Sequence, residues 1–470
     1  MGAIRQAAAG FLLVLIAAAA SAQDCVTAVR LLSTRSSVPN FVPGPSSWSG
    51  TTLAVAKTEE GAPGALWLAV YDETLQTVVD DRPVATDARR IVALLWSGTE
   101  HALFYTTSSD TMFMQRLTLS GDPLGARVPI TPNKTVYPGD DIDVVWSPSL
   151  NSYVVGRVIS QGQSRGLWLT LLDRNGREAW DLPAFVTGSN RPSLDVAVTE
   201  SGIIGAFFNN SNGSLVFARA NADGAIIARS IAPGSEFIKA AAHDGMFVVT
   251  RQAAFESNTR TEIRWLVVNT DHEIVRPESQ LVEPIGDDAW PLSLISNGEE
   301  LALAYIDAPR RAQPVERNYR LLRFESDGTI ISDTRFAADA AFSRAQSPYS
   351  ITWSGTSYLT PAVHAASDRL NSYLLRYCPL RAEITSPRRI VRVGESVIFS
   401  AEASGGVPDY QYSWTFPFEI GPKRGPIQPR VFDRTGTYTV TVDVTDFSGA
   451  TTRETITVEV VRPKVRAVRH

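Results

Sequence analysis

The chain has 470 residues, 44% of them apolar and 9% aromatic, with a formal net charge of −5 and an isoelectric point near 5.7. That length and apolar content suit packed cores in two or more domains and exclude a disordered chain. The lack of a basic surplus argues against nucleic acid as a partner.

At the N-terminus Arg5 precedes an alanine-rich apolar run from Ala7 to Ala20 and then the small-residue pattern Ala20-Ser21-Ala22. This is the order of a secretory signal peptide, residues 1–22, with cleavage before Gln23. The run is shorter than the roughly 20 residues of a membrane-spanning helix, so no membrane span is expected. Cys25 follows Asp24 rather than a small residue, which does not suit a lipid-modified cysteine. The mature chain is expected outside the cytoplasm: secreted, periplasmic or at the cell surface.

From there to Leu380 one frame recurs. An apolar strand, a short turn containing Gly, a second apolar strand and a longer third strand ending in a polar hairpin follow one another. The clearest case is "VALLWSG", "EHALFYTT" and "MFMQRLTLSGDPLGARVPIT". Trp-Ser-Gly stands at the first turn three times, ending at Gly50, Gly98 and Gly355, and Trp146 opens the related "WSPSL". Gly202, Gly245 and Gly298 mark the same turn where the Trp is lost. The third strands close in hairpins such as "NADG" and "ESDG", whose Asp-Gly pairs tolerate the positive φ of a tight turn. Seven units at a period of about fifty residues, with four short strands each, predict a seven-bladed β-propeller over residues 23–380. Trp48, Trp96, Trp146 and Trp353 are read as structural wedges between blades.

The last unit ends after three strands, whereas "CVTAVRLLS" is a spare strand at the mature N-terminus. That strand is expected to complete the last blade and cover its edge. Cys25 and Cys378, the two cysteines of the chain, would then lie on neighbouring strands and form a disulfide, as an exported protein permits. The units resemble the degenerate repeats of exported bacterial proteins that read roughly "AVAWSGTEYLVVW…DIYGQRL…DGTPLG". This resemblance spans about residues 43 to 380 and implies an architecture with no specific activity.

Beyond Leu380, "VGESVIFSAEASGGVPDYQYSWTF" and "GTYTVTVDVTD" alternate apolar and polar residues with frequent turns, the pattern of an antiparallel sandwich. Gly394, Ser396, Pro408, Tyr412, Trp414 and the stretch from Gly436 to Asp446 resemble the PKD (polycystic kidney disease) domain, an Ig-like fold, over about residues 382–460. The acidic "WDFGDG" turn of that family is replaced by "WTFPFEIGPKRG", which removes any ion or ligand contact made through it. The resemblance implies a spacer or weak binding module. Residues 461–470 form a basic tail.

Chemistry-bearing motifs are few. The chain has no GxSxG elbow, no HExxH and no phosphate-binding glycine loop, and His101, His243, His272, His364 and His470 are scattered. Gly-Asp-Asp precedes the first strand of the third and sixth units. In a propeller these loops share one face, so Asp140, Asp141, Asp287 and Asp288 would border the channel mouth and could hold Ca²⁺ or a sugar; solvated turn acids are the plainer reading. No other cofactor is expected. The expectation is a monomeric, non-enzymatic binding or scaffold protein that contacts extracellular polysaccharide or another exported protein. The alternative is a carbohydrate-active hydrolase or lyase with acids at the channel mouth.

Overall fold

In a computed structural model the described residues are 28–31, 41–59, 64–130, 141–161, 164–187, 193–209, 213–233, 237–255, 260–283, 288–308, 318–335, 350–366, 369–406, 409–419, 421–447 and 450–462. They are all-β and divide into two compact units, Val29–Leu375 and the part from Arg376 onward. No described helix is long and apolar enough to cross a membrane. The signal-peptide segment, Cys25, Asp140, Asp287, Pro408, His470 and most of the basic tail lie outside the described residues.

In the first unit, hydrogen bonding joins the described strands into five sheets, of seven, four, four, eight and four strands; with the seven-stranded and eight-stranded sheets each divided in two at the sequence repeat, the groups are here called sheets one to seven. Sheet one holds Phe41–Trp48, Thr52–Glu59, Gly64–Asp72 and the first half of Thr77–Trp96. From about Ala88 that long strand turns to its other neighbour and opens sheet two, with His101–Thr107, Met112–Leu117 and Val128–Ile130. Register shifts at Ala88/Arg90 and Ile91/Ala93 accompany the change of partner, as bulges do where a strand bends. Sheet three is Ile142–Ser147, Ser152–Gln161, Ser164–Leu172 and Glu178–Thr187, and sheet four is Leu194–Val198, Ile204–Asn209, Ser214–Ala220 and Ile226–Pro233. Sheet five holds Lys239–His243, Met246–Phe255, Arg260–Val268 and Ile274–Val282. Sheet six holds Asp288–Ser296, Leu301–Ala308, Asn318–Phe324 and Ile330–Arg335. In sheet seven Thr352–Trp353, Tyr358–Ala366 and Arg369–Tyr377 are followed in hydrogen-bonding order by Ala28–Leu31. The N-terminal strand thus stands beside the third strand of the last sheet.

The turn between the first two strands of each sheet explains the recurring glycine. At Gly50, Gly98, Gly202, Gly245, Gly298 and Gly355 φ lies between 72° and 95°, a region that a Cβ disfavours. In sheet three the left-handed residue is Asn151 (φ 49°), and Pro148 accepts its N–H at 3.2 Å. The serine of Trp-Ser-Gly closes the turn: Ser49, Ser97 and Ser354 N–H donate to Thr52, Glu100 and Ser357 O at 2.9, 3.0 and 2.9 Å.

Each sheet alternates its side chains between two neighbours, so the apolar clusters lie between sheets. One joins Leu94, Leu103 and Tyr105 of sheet two to Ala54, Leu68 and Val70 of sheet one. Another joins Phe207, Leu215 and Phe217 of sheet four to Phe247, Val249 and Leu266 of sheet five. There the Phe207 ring stacks on Phe217 at 4.7 Å and meets Phe247 edge-on at 5.5 Å. Bidentate pairs recur with the repeat. Arg116 reaches Glu100 at 2.6 and 2.8 Å, and Arg323 reaches Glu300 at 2.7 and 2.7 Å. The second pair also receives the Tyr358 hydroxyl of sheet seven at 2.6 Å.

The second unit has a three-stranded sheet, Arg381–Thr385, Ser396–Ser404 and Ile427–Val431, and a five-stranded one, Ile390–Arg392, Thr451–Val461, Gly436–Thr445, Gln411–Thr415 and Lys423–Arg424. Every second residue of Ser396–Ser404 and Gly436–Thr445 is buried, which builds a core around Phe399, Trp414, Val440, Val442 and Val458. Trp414 Nε1 donates to Gly425 O at 2.8 Å, and Tyr438 hydroxyl to Arg434 O at 2.9 Å. Pro429 stands on the edge strand Ile427–Val431, where its missing N–H removes a donor that another strand could use. Cys378 is fully buried.

Phe207→Ala is expected to destabilise the first unit by about 3–5 kcal/mol, because it empties an aromatic contact shared by two sheets. Chemical denaturation checks this. An unchanged midpoint would mean that sheets four and five do not pack through this cluster.

Candidate functional site

The first strand of each sheet has one edge that its own sheet leaves unpaired, and the N–H groups on that edge need acceptors. At four junctions side chains from the preceding sheet supply them. Val196 N–H donates to Asp143 Oδ2 at 2.7 Å, and Ala240 N–H to Asp195 Oδ2 at 2.7 Å. Ile351 N–H donates to Ser293 Oγ at 3.3 Å, and Ser46 N–H to Ser350 Oγ at 2.9 Å. In the first three cases the acceptor belongs to the preceding sheet's first strand; Ser350 lies two residues before the strand Thr352–Trp353. Two residues earlier on the same strands, Leu194 N–H donates to Asp141 Oδ2 at 3.2 Å and Ile238 N–H to Ser193 Oγ at 2.8 Å. A spacing of two keeps both acceptors on one side of the strand.

The bond at Ser46 joins sheet seven to sheet one. Ser46 Oγ also shares a hydrogen bond with Thr352 Oγ1 at 2.9 Å, Thr352 Oγ1 donates to Ser46 O at 3.2 Å, and the Thr356 hydroxyl donates to the Glu73 carboxylate.

Charge gathers where the acceptors are aspartates. Lys239 of sheet five places Nζ 2.8 Å from Asp195 Oδ1. Burial and the nearby Asp195 carboxylate push Asp143 up to about 7. Burial likewise raises Asp195 and Asp141. Burial alone would lower Lys239, but the carboxylates of Asp195, Asp143 and Asp141 outweigh it and hold the ammonium at about 12. The cluster therefore pairs one ammonium with carboxylates that compete for it, an arrangement able to hold a proton near neutral pH.

Of the four aspartates singled out in the sequence, Asp141 belongs to this cluster, through the Leu194 N–H bond. Asp288 opens the first strand of sheet six, is 6% exposed and accepts from the Thr261 hydroxyl at 3.0 Å. The two are held by different sheets, and Asp140 and Asp287 lie outside the described residues. Among the described residues no group of three or more His, Cys, Asp or Glu could hold a metal ion, Ca²⁺ included. Trp48, Trp96, Trp146 and Trp353 are half-buried beside the turns. Trp96 packs on His101 at 4.9 Å, Trp146 on Tyr153 at 4.7 Å and Trp353 on Tyr358 at 4.5 Å. Trp146 also joins the apolar cluster between sheets two and three, with the Arg174 guanidinium 5.2 Å from its ring. His101 is fully buried and burial lowers it to about 4, while His243 Nδ1 pairs with Ser296 Oγ at 2.8 Å.

Sequence reasoning missed Asp143, Asp195 and Lys239. The signal was there: "DVVW", "DVAV" and "KAAA" each put one charge at the same place in an otherwise apolar first strand.

The PKD domain family matches residues 381–460, so the second unit carries a PKD domain. No curated protein matches the chain. Among solved structures, the chain is similar to the β-propeller domain of the Trilobed protease from Pyrococcus furiosus, with a TM-score of 0.45 and 7% identity over 72% of this chain and 94% of that one. It is similar to a prolyl endopeptidase with a TM-score of 0.42 and 12% identity, over 77% of this chain and 54% of that one, so it spans little more than half of that protein. It is similar to the SapL1 lectin, solved with α-methyl fucoside, with a TM-score of 0.39 and 12% identity over 64% of this chain and 95% of that one. These are similarities of strand arrangement alone.

Ser350→Ala leaves Ser46 N–H without its acceptor and is expected to cost about 1–3 kcal/mol. Asp195→Ala removes an N–H acceptor and the partner of Lys239 together and is expected to cost more. Equilibrium denaturation of the two variants beside the parent checks both the sign and the order.

Proposed function

We propose that the chain is an exported, non-catalytic binding or scaffold protein, built as a seven-bladed propeller closed by its N-terminal strand and followed by a PKD domain. The observation that carries the non-catalytic reading is the use of the inner-strand acids: Asp141, Asp143 and Asp195 each accept a main-chain N–H of the next sheet. Side chains engaged in joining sheets serve the scaffold, and the loops at the strand ends are left as the contact surface. Extracellular polysaccharide or another exported protein is the partner on this reading. The ring reading draws its support from the bonds between Ser350, Thr352 and Ser46, which run from sheet seven to sheet one.

A disulfide between Cys25 and Cys378 belongs to the same proposal. Ala28–Leu31 neighbours Arg369–Tyr377 in the sheet, so a cysteine just before the former and one just after the latter would fasten the closing strand. Bridging so long a loop would stabilise the fold by about 2–4 kcal/mol. Non-reducing peptide mapping of the secreted protein is expected to recover the two peptides linked; two alkylatable thiols would rule the bridge out.

The second reading, a carbohydrate-active hydrolase or lyase, is favoured by one observation, the Asp143 carboxyl held at about 7 beside Asp195, which suits an acid–base pair. Incubating the full chain and its Asp143→Asn variant with a panel of polysaccharides, with and without Ca²⁺, separates the two. Retention of both proteins on a polysaccharide without release of new reducing or unsaturated ends supports the binding reading. Release of such ends by the parent, lost in Asp143→Asn, would overturn it.

A further inference from the structure

His101 breaks a pattern of the repeat. Beside the tryptophan of the turn, sheets three and seven place Tyr153 and Tyr358, and sheet two places His101. The Tyr358 hydroxyl donates to Glu300 of the preceding sheet at 2.6 Å and receives Asn297 Nδ2 at 3.0 Å. His101 has no such bonds: it is fully buried, and among the described residues neither of its ring nitrogens has a hydrogen-bond partner. The place that Glu100 and Glu300 hold in their turns is taken in sheet one by Thr52, whose hydroxyl shares a hydrogen bond with Ser49 Oγ at 2.9 Å.

The ring faces sheet one. His101 pairs in register with Trp96 and Leu117. Leu117, Leu103 and Tyr105, on the same side of sheet two, belong to the apolar cluster shared with Ala54, Leu68 and Val70 of sheet one. The charged groups around this junction are engaged with other partners. Glu100 is paired with Arg116, and Asp122 with Arg82 and Ser120. Asp72, two residues beyond Val70, accepts from Thr74 and Gln76 within its own hairpin. None of them acts on His101, whose hold on a proton is set by burial alone.

We propose that His101 is an acid-operated catch between sheets one and two. The neutral ring lets the sheets close over it. A second proton makes both ring nitrogens donors and adds a charge, and neither the new N–H nor the charge finds a partner until the junction opens and water reaches the ring. The two sheets stay closed at neutral pH and part in acid.

The direction follows from which state accommodates the proton. The closed junction offers an imidazolium no acceptor and no counter-charge, and the opened one offers water, so opening takes up a proton. In the closed chain His101 lies at about 4 against 6.5 for the free group. The stability that the neutral ring allows is complete above the free value and fades as pH falls toward that of the folded group.

Amide hydrogen exchange of the full chain from about pH 7.5 to 4.5, corrected for the intrinsic rate, tests the catch in the parent and in His101→Phe. Phenylalanine keeps a ring against Trp96 and has no proton to take up. In the parent, opening of Thr52–Glu59 and His101–Thr107 is expected to be constant above about pH 6.5 and to grow by up to about tenfold per pH unit below it. Leu301–Ala308 in sheet six is expected not to follow, and the variant to stay level at both strands. A parent profile flat down to about pH 4.5, growth of the same size in Leu301–Ala308, or a variant with the parental slope would overturn the proposal. If the variant does not fold, the parent profile and its comparison with sheet six still decide.

Discussion

The free edge of each sheet's first strand is the constraint on which the first unit depends. A four-stranded meander satisfies the main chain of its inner strands but leaves alternate N–H groups of the first strand pointing away from its own sheet. A buried N–H without an acceptor is costly, so the next structural decision is forced: something outside the sheet must receive it. Here the receiver is a short polar side chain of the preceding sheet, Asp143 for Val196, Asp195 for Ala240, Ser293 for Ile351 and Ser350 for Ser46. Apolar packing between sheets, as in the Phe207, Phe217 and Phe247 cluster, supplies the attraction, and these bonds fix the register in which neighbouring first strands meet.

That division of labour shapes what the acids can do. Serine serves the junctions at Ser293 and Ser350 as a neutral acceptor. Aspartate serves those at Asp143 and Asp195 and brings charge with it, which burial makes expensive. Lys239 offsets part of that cost by its pairing with Asp195. The same side chains thus hold sheets together and carry carboxyls that burial pushes up, which explains why acid–base chemistry and scaffolding both stay in view at one place.

Much of the fold was legible because turns and alternation are local. Gly50, Gly98, Gly202, Gly245, Gly298 and Gly355 were read as turn residues, and all six adopt positive φ. In the third unit, whose turn "WSPSL" has no glycine, the left-handed position is taken by Asn151. The place of the N-terminal strand beside the last sheet followed from counting strands, and the PKD domain from the alternation around Trp414 and Val440. The candidate site was less legible. Gly-Asp-Asp drew the eye to Asp140, Asp141, Asp287 and Asp288 because loop acids look exposed. Asp143 and Asp195 sit inside apolar runs, and their partners lie some fifty residues further on in the next repeat, so their purpose emerges only when sheets are set side by side.

The central claim is that the seventh sheet meets the first through their first strands. The hydroxyl oxygens of Ser46 and Ser350 lie 3.4 Å apart, so a Ser46→Cys, Ser350→Cys double variant places two thiols within reach of each other across 304 residues. Intact mass and non-reducing peptide mapping of that variant, produced under oxidising conditions, are predicted to give a new cross-link between the peptides carrying positions 46 and 350. A folded variant in which both thiols remain free would contradict the account.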